Sequence, residues 1–181
     1  MTGTRPSAAP AAERARALRL DSPVGGLVLR ECRGAITALE WLKPHQSSRG
    51  GAASPGQDAG GISPLLVEAA RQLDEYFAQR RKTFDLPLAP AGSPFHQHVW
   101  RLMREIPYGS TATYGDLARQ LGCAAQPVGG ACGANPIAIL IPCHRVVAAD
   151  GLGGFSGGAG LESKRFLLRH EDALEPELDL F

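Results

Sequence analysis

Between Pro23 and Leu42 the sequence PVGGLVLRECRGAITALEWL sets two apolar, β-branched runs on either side of Arg33-Gly34, the pattern of two antiparallel strands joined by a hairpin. From Pro64 the period changes. PLLVEAARQLDEYFAQRR spaces Leu65, Leu66, Ala69, Leu73 and Phe77 near helical intervals with charges between them, which predicts an amphipathic helix. PFHQHVWRLMREI repeats that spacing at Phe95, Val99, Leu102, Met103 and Ile106, and PYGS ends it. In TATYGDLARQLG, Thr113 suits an N-cap, Asp116 the first turn and Gly122 the stop. A further short helix is predicted from Pro127, because proline at a first helical position loses no hydrogen bond. Helix, short turn and helix make a helix-turn-helix candidate.

Three stretches carry no such period. Residues 1–20 are rich in Ala, Arg and Pro with no apolar face before Leu18 and Leu20, and are expected to be a disordered extension. The Gly-, Ser- and Pro-rich residues 46–63, QSSRGGAASPGQDAGGIS, are expected to form a mobile loop, since they cannot bury enough surface to offset the entropy of ordering. LPLAPAGSP holds three prolines in nine residues and suits a linker. The expected organisation is therefore an N-terminal α/β domain over 21–86, a linker over 87–94, a mainly helical domain over 95–174 and a tail over 175–181.

Composition narrows the class. The chain has 181 residues, 44% of them hydrophobic, as expected of a globular protein with a buried core. No apolar run approaches the roughly 18 residues needed to span a bilayer, so no membrane role is expected. Cys32, Cys123, Cys132 and Cys143 form no regular framework, which points to free thiols in a reducing cytoplasm. His96 and His98, with only His45 and Cys32 as distant companions, make no ligand set, so neither a metal nor another cofactor is expected. Net charge is +1, and residues 95–172 carry seven Lys/Arg against six Asp/Glu. A nucleic-acid partner would thus be held through few phosphate contacts. Residues 128–134, VGGACGA, have five Gly or Ala, which is poor helix filler unless something must approach the backbone closely.

The chemistry lies in NPIAILIPCHRVVAADG, residues 135–151, where a thiol and an imidazole stand side by side. A free thiol with a pKa of about 8.5 is mostly protonated at neutral pH, so a nucleophilic Cys143 needs a base. His144 is the nearest candidate, and because adjacent side chains rarely face one another the proton would pass through a bridging water. Glu171 and Asp172 are both candidates for an orienting carboxylate.

IPCHRVV, with FDLPL, VWRLMREIPYGSTATYGDLA, VGGACGANP, ILIPCHRVV, GGFSGG and KRFLLRHE in that order, closely resembles the O6-alkylguanine-DNA alkyltransferases. The resemblance covers most of the chain. It implies a ribonuclease-H-like α/β N-terminal domain and a mainly α C-terminal domain with a winged helix-turn-helix. It also implies a DNA repair activity in which Cys143 accepts the alkyl group irreversibly, His144 takes its proton and Glu171 holds the ring. The partner is double-stranded DNA containing O6-alkylguanine, with no obligate protein partner, and the protein is expected to act as a monomer.

By the same resemblance Tyr114 donates to the base, the N–H of Ser156 faces O6, and the carbonyls of Cys143 and Val146 accept from the exocyclic amine. Asn135 is placed at the substrate site, although with Pro136 it also suits bracing of the turn into Cys143. Lys164 is expected to be solvated and Arg145 to be structural. The target base must be rotated out of the duplex, and Gln126, Pro127, Gly129, Gly130, Ala131 and Gly133 are the expected DNA contacts of a helix in the minor groove. One departure stands out. Gln126 occupies the position where the family carries an arginine that replaces the flipped base. Two rival readings remain: a non-catalytic protein that binds alkylated DNA, against which the intact Cys143 argues, and a cysteine hydrolase, which would turn over.

Overall fold

The computed structural model describes residues 15–42 and 63–174. The expected mobile loop, apart from Ser63, lies outside them, as do the first fourteen residues and the tail from 175. Strands β1 (Arg16–Leu20), β2 (Leu27–Cys32) and β3 (Ala35–Trp41) form an antiparallel sheet in that order. Arg33 and Gly34 both take positive φ, 53° and 77°, which suits the primed turn of a tight hairpin. β1 corrects the expectation of a disordered extension through residue 20. RALRL is too short to show its period, but opposite β2 it places Leu18 beside Leu29 in the core and Arg16 within 3.7 Å of Glu31. The ladder with β2, more than any preference of its own, makes it a strand.

Helix α1 (Pro64–Phe77) covers one face of this sheet. Ser63 caps it by accepting from the Leu65 N–H, and the Ser63 hydroxyl also donates to buried Glu31. Leu66, Ala69, Leu73 and Tyr76 are buried with Leu27, Leu29, Ile36 and Leu39.

The outer edge of β3 is not left bare. The Ile36 N–H donates to Pro87 O and the Ala89 N–H to Ile36 O, both at 2.8 Å, so the expected linker begins by pairing with the sheet. Further along, the Leu39 N–H donates to Pro136 O at 2.9 Å. An edge covered in this way offers no template for a foreign strand, and it ties the N-terminal sheet to the segment leading to Cys143.

The second half contains α2 (Pro94–Glu105), β4 (Ala112–Thr113), α3 (Tyr114–Leu121), α4 (Ala125–Gly133), β5 (Val146–Val147) and α5 (Leu161–His170). β4 and β5 pair in parallel. Thr113 and Asp116 form a reciprocal capping box at the start of α3, and Gly122 ends it in the left-handed region, φ 64°, as the residue pattern predicts. Helix α4 starts two residues before Pro127. The first-turn N–H groups of a helix have no intrahelical partner, so proline at the third position still loses nothing. Val128, Ala131 and Cys132 turn into the core, and the Trp100 indole of α2 donates to Ala131 O at 2.8 Å. No helix among the described residues is long and apolar enough to cross a membrane.

Replacing Thr113 by Ala removes the side-chain half of the box. Thr113→Ala is expected to lower stability by about 1 kcal/mol, read as a shift of the urea unfolding midpoint with an unchanged slope.

Candidate active site

The chain leaves α4 and reaches Cys143 through a tightly wound segment. Ile139 is buried with φ 68°, an uncommon conformation for a β-branched residue, at a turn where the Leu140 N–H donates to Ala138 O at 2.8 Å. Asn135 holds this segment from inside. Its Nδ2 donates to Ile141 O at 2.8 Å and its Oδ1 accepts from the Ile137 N–H at 3.0 Å. The Asn135 amide is thus spent largely on the turn, while it also favours the thiolate form of Cys143. A second close turn, with the Cys143 N–H donating to Ile141 O at 2.9 Å, delivers the thiol into a single 3-10 turn, Cys143–Arg145.

Cys143 is partly buried and lines two cavities with shared walls. One, of about 340 Å³, is bounded by Tyr114, Gly129, Gly133, Gly154 and Ser156. The other, of about 190 Å³, reaches Leu39 and Trp41 of β3. Burial raises the Cys143 thiol above its ordinary value, against the influence of Asn135 and Lys164. At rest it is a neutral thiol that requires a base.

Behind it, His144 Nε2 lies 2.8 Å from Glu171 Oε1, both residues being fully buried. Burial works to raise the carboxyl, but hydrogen bonds from His144 and Arg145 outweigh it and hold Glu171 down at about 2. An ionised carboxylate only accepts, so Nε2 carries the proton. Burial lowers His144 and keeps the ring neutral in spite of Glu171. The remaining nitrogen, Nδ1, therefore bears a lone pair, and among the described residues it is buried with no hydrogen-bond partner. That is a base held in one tautomer. Asp172, the alternative carboxylate, is exposed with φ 56°, and so it is Glu171 that reaches the ring.

Two residues of this network escaped the sequence reading. Arg145, expected only to be structural, clamps Glu171 through Nε to Oε2 at 2.7 Å and Nη2 to Oε1 at 3.0 Å, with Nη1 on Ile106 O. Its place in the IPCHRVV run was the available signal. Tyr76 of α1 donates to Glu171 Oε1 at 2.7 Å from 95 positions away, and nothing local marks it.

Lys164 corrects an expectation. It is buried, its ammonium donates to the carbonyls of Val146 at 2.6 Å and of Leu152, and burial lowers it to about 8. Val146 O, expected to receive the exocyclic amine, therefore has one lone pair already engaged and one left. The Cys143 carbonyl likewise accepts from the Val146 N–H. Tyr114 lies over the thiol cavity with its hydroxyl 3.3 Å from Gly154 O, and burial raises it to about 12. Gly153, at φ 69°, runs beside the Tyr114 ring, where a Cβ would come within 2.8 Å. Ser156 is exposed at the rim of both cavities.

Of the residues expected against DNA, Gln126, Pro127, Gly130 and Gly133 are exposed and Gly129 is half-buried. Ala131 is buried, because the core stripe of α4 runs through 128, 131 and 132. A Cβ at Gly129, Gly130 or Gly133 would meet nothing within 4 Å, and none of the three has positive φ. Each glycine weakens the helix by about 1 kcal/mol relative to alanine. Neither packing nor backbone conformation within the described residues calls for glycine at these three positions. Among the described residues no cluster of three or more His, Cys, Asp or Glu is placed to hold a metal.

Comparison with known proteins gives two family matches. Residues 18–90 match the ribonuclease-like domain of 6-O-methylguanine DNA methyltransferase, and residues 94–173 match its DNA binding domain. The methylated-DNA–protein-cysteine methyltransferase of Methanosarcina barkeri is 40% identical over 156 residues, 84% of this chain and 94% of that protein. The Mycobacterium tuberculosis protein of the same name is 40% identical over 168 residues, 90% and 96% of the two chains. A crystal structure of the M. tuberculosis O6-methylguanine methyltransferase superposes with a TM-score of 0.71 at 36% identity, covering 93% of this chain and 99% of that one. The M. tuberculosis protein in complex with DNA gives 0.71 at 38%, covering 92% and 98%. The fold class implied by the resemblance agrees with these matches.

The buried charges make stability fall in acid. Glu171, depressed from 4.5 to about 2, stabilises the fold fully above 4.5 and loses that contribution as pH drops toward 2. His144 acts in the same direction, since below 6.5 the unfolded chain binds a proton that the buried ring resists. Glu171→Gln strands the Arg145 charge and is expected to cost about 3 kcal/mol near neutral pH. Urea midpoints of wild type and variant should converge as pH falls from 4.5 to about 2.

Proposed function

This chain belongs to the 6-O-methylguanine DNA methyltransferase family, and we propose that Cys143 Sγ is the atom on which its chemistry ends. It is a DNA repair protein that moves the alkyl group of O6-alkylguanine in DNA onto its own cysteine, once per molecule. The observation that carries the assignment of roles is the buried Glu171–His144 pair, whose histidine follows Cys143 in the same 3-10 turn. His144 Nδ1 takes the Cys143 proton through a water. The thiolate sulfur bonds to the alkyl carbon as the bond from that carbon to O6 breaks. The electron pair of the broken bond stays on the purine, which takes up one proton as His144 gives up the one it received and leaves as guanine, and the protein keeps a stable thioether.

The charge that grows on the departing purine needs donors already in place. Tyr114 O–H and the Ser156 N–H supply them at the rim of the larger cavity, while the free lone pairs of the Cys143 and Val146 carbonyls accept from the exocyclic amine and select guanine. Asn135 contributes by bracing the turn and favouring the thiolate. Rotation of the target base out of the duplex is served by the bare face of α4. Gly129, Gly130 and Gly133 let a sugar-phosphate backbone approach, with Gln126 and Pro127 at the leading end. We infer a cytoplasmic setting from the four free cysteines, and two working halves joined through residues 87–94.

Two experiments test this reading. Intact-mass spectrometry after mixing with O6-methylguanine duplex is expected to show one added methyl group on the Cys143 peptide, and none in Cys143→Ala, which should still bind DNA. Recurrent turnover would instead indicate a hydrolase, and binding without an adduct a non-catalytic protein. The second concerns Gln126, which fills space but carries no charge. Arginine at that position can stack on a base and pair with phosphate. Gln126→Arg is therefore expected to speed repair of duplex DNA while leaving the rate with free O6-benzylguanine unchanged. Equal acceleration of both would place the residue at the pocket, and no change in either would place it away from DNA.

A further inference from the structure

The terminal turn of α1 and the residues after it meet the second half of the chain at residues 170 and 171 and at Tyr108. Tyr76 O–H donates to Glu171 Oε1 at 2.7 Å, His170 Nε2 lies 2.8 Å from Tyr76 O, and Gln79 Nε2 donates to His170 O at 3.1 Å. The Tyr76 ring lies 4.9 Å from His170 and 6.2 Å from Tyr108, centroid to centroid. Tyr76 is 0% exposed. Its neighbours Phe77 and Phe84 show that a ring without a hydroxyl suits these surroundings. Among the described residues the only hydrogen-bond partner of that hydroxyl is the carboxylate that orients the base.

Glu171 also follows directly on α5, at the negative end of the helix dipole, where a carboxylate is disfavoured and depends on its donors. Oε1 receives three of them: His144, Tyr76 and Arg145. Arg145 is fixed by a further bond to Ile106 O, so it sets the plane of the carboxylate. The share of Oε1 available to His144 then depends on Tyr76.

We propose that Tyr76 is a positioning residue of the alkyl transfer, contributed by the N-terminal half, whose hydroxyl holds Glu171 Oε1 on His144 and moderates its pull on the ring. The proposal rests on the Cys143–His144–Glu171 reading above. When His144 takes the thiol proton, positive charge appears on a ring bonded to Oε1. A carboxylate that already receives a hydroxyl hydrogen stabilises that charge less, so the resting ring stays neutral and ready to act as a base. Removing the hydroxyl makes Oε1 more basic and His144 with it. The acid limb of the rate profile then moves to higher pH, because a larger fraction of the ring is protonated before the thiol needs it.

The test is single-turnover methyl transfer from O6-methylguanine duplex across the pH range, with unfolding curves and DNA binding measured on the same samples. Tyr76→Phe keeps the ring and removes one donor. It is expected to move the acid limb upward by about half a pH unit and to slow the plateau roughly fivefold, with DNA binding retained. A limb at the wild-type position overturns the proposal whatever the plateau rate; loosening of the core, which would admit water to His144 and move the limb the same way, is read separately from the unfolding curves. Tyr76→fluorotyrosine, a stronger donor in nearly the same space, is expected to move the limb the other way. No movement there overturns the proposal even if Tyr76→Phe does not fold. Glu171→Ala, run alongside, separates the two levels. A wild-type rate in Glu171→Ala removes the triad and this proposal together. A slow Glu171→Ala with an unmoved limb in Tyr76→Phe leaves the triad standing and removes only the part of Tyr76.

Discussion

A carboxylate taken fully out of water is tolerated only if its charge and lone pairs are met. Glu171 is that group here, and the surrounding architecture is arranged to satisfy it. Arg145 and His144 come from the 3-10 turn that carries Cys143, Tyr76 comes from α1, and the carboxylate itself follows directly on α5. One buried charge thus fixes the His144 ring, ties the Cys143 turn to the last helix and draws the N-terminal half against both. The N-terminal sheet has a second hold on the same region through Leu39 and Pro136, on the segment that leads to the thiol.

A second buried charge does comparable work beside the cavities. Lys164 is enclosed by backbone carbonyls of Val146 and Leu152, so it anchors the strand after the Cys143 turn to the loop that carries Ser156. Trp41 of β3 packs on that loop from the other side, its ring centroid 5.9 Å from Phe155, and a Cβ at Gly157 would come within 2.4 Å of it. The smaller of the two cavities at Cys143 is therefore bounded by parts from both halves of the chain, and the larger by the second half alone.

On the reading proposed for α4, recognition of DNA rests on shape more than on charge. The second half is almost neutral, and α4 presents glycines where a basic helix would present lysines. Close backbone approach suits a protein that must accept any sequence around the lesion, because a bare helix reads no base edges. The cost is a helix of weak intrinsic stability, offset by Val128, Ala131 and Cys132 in the core and by the Trp100 indole on Ala131 O.

Local order was legible in the sequence wherever neighbours in the chain determine it. The Arg33-Gly34 hairpin, the capping box of Thr113 and Asp116, the stop at Gly122 and the amphipathic stripes of α1 and α2 all follow from residues a few positions apart. The six ordered motifs carried the family, and the Cys143-His144 pair carried the chemistry. Only the tertiary structure showed that β1 is a strand, that Ala131 faces inward, that Lys164 is buried and that Tyr76 touches Glu171. Each of these depends on a partner far along the chain, and a strand of five residues or a single tyrosine bears no local mark of the group it will meet. Burial is also what turns those meetings into chemistry. His144 and Glu171 are ordinary side chains in the sequence, and they become a neutral base and a fixed carboxylate because the fold removes water from both and leaves the charge only protein donors to bind.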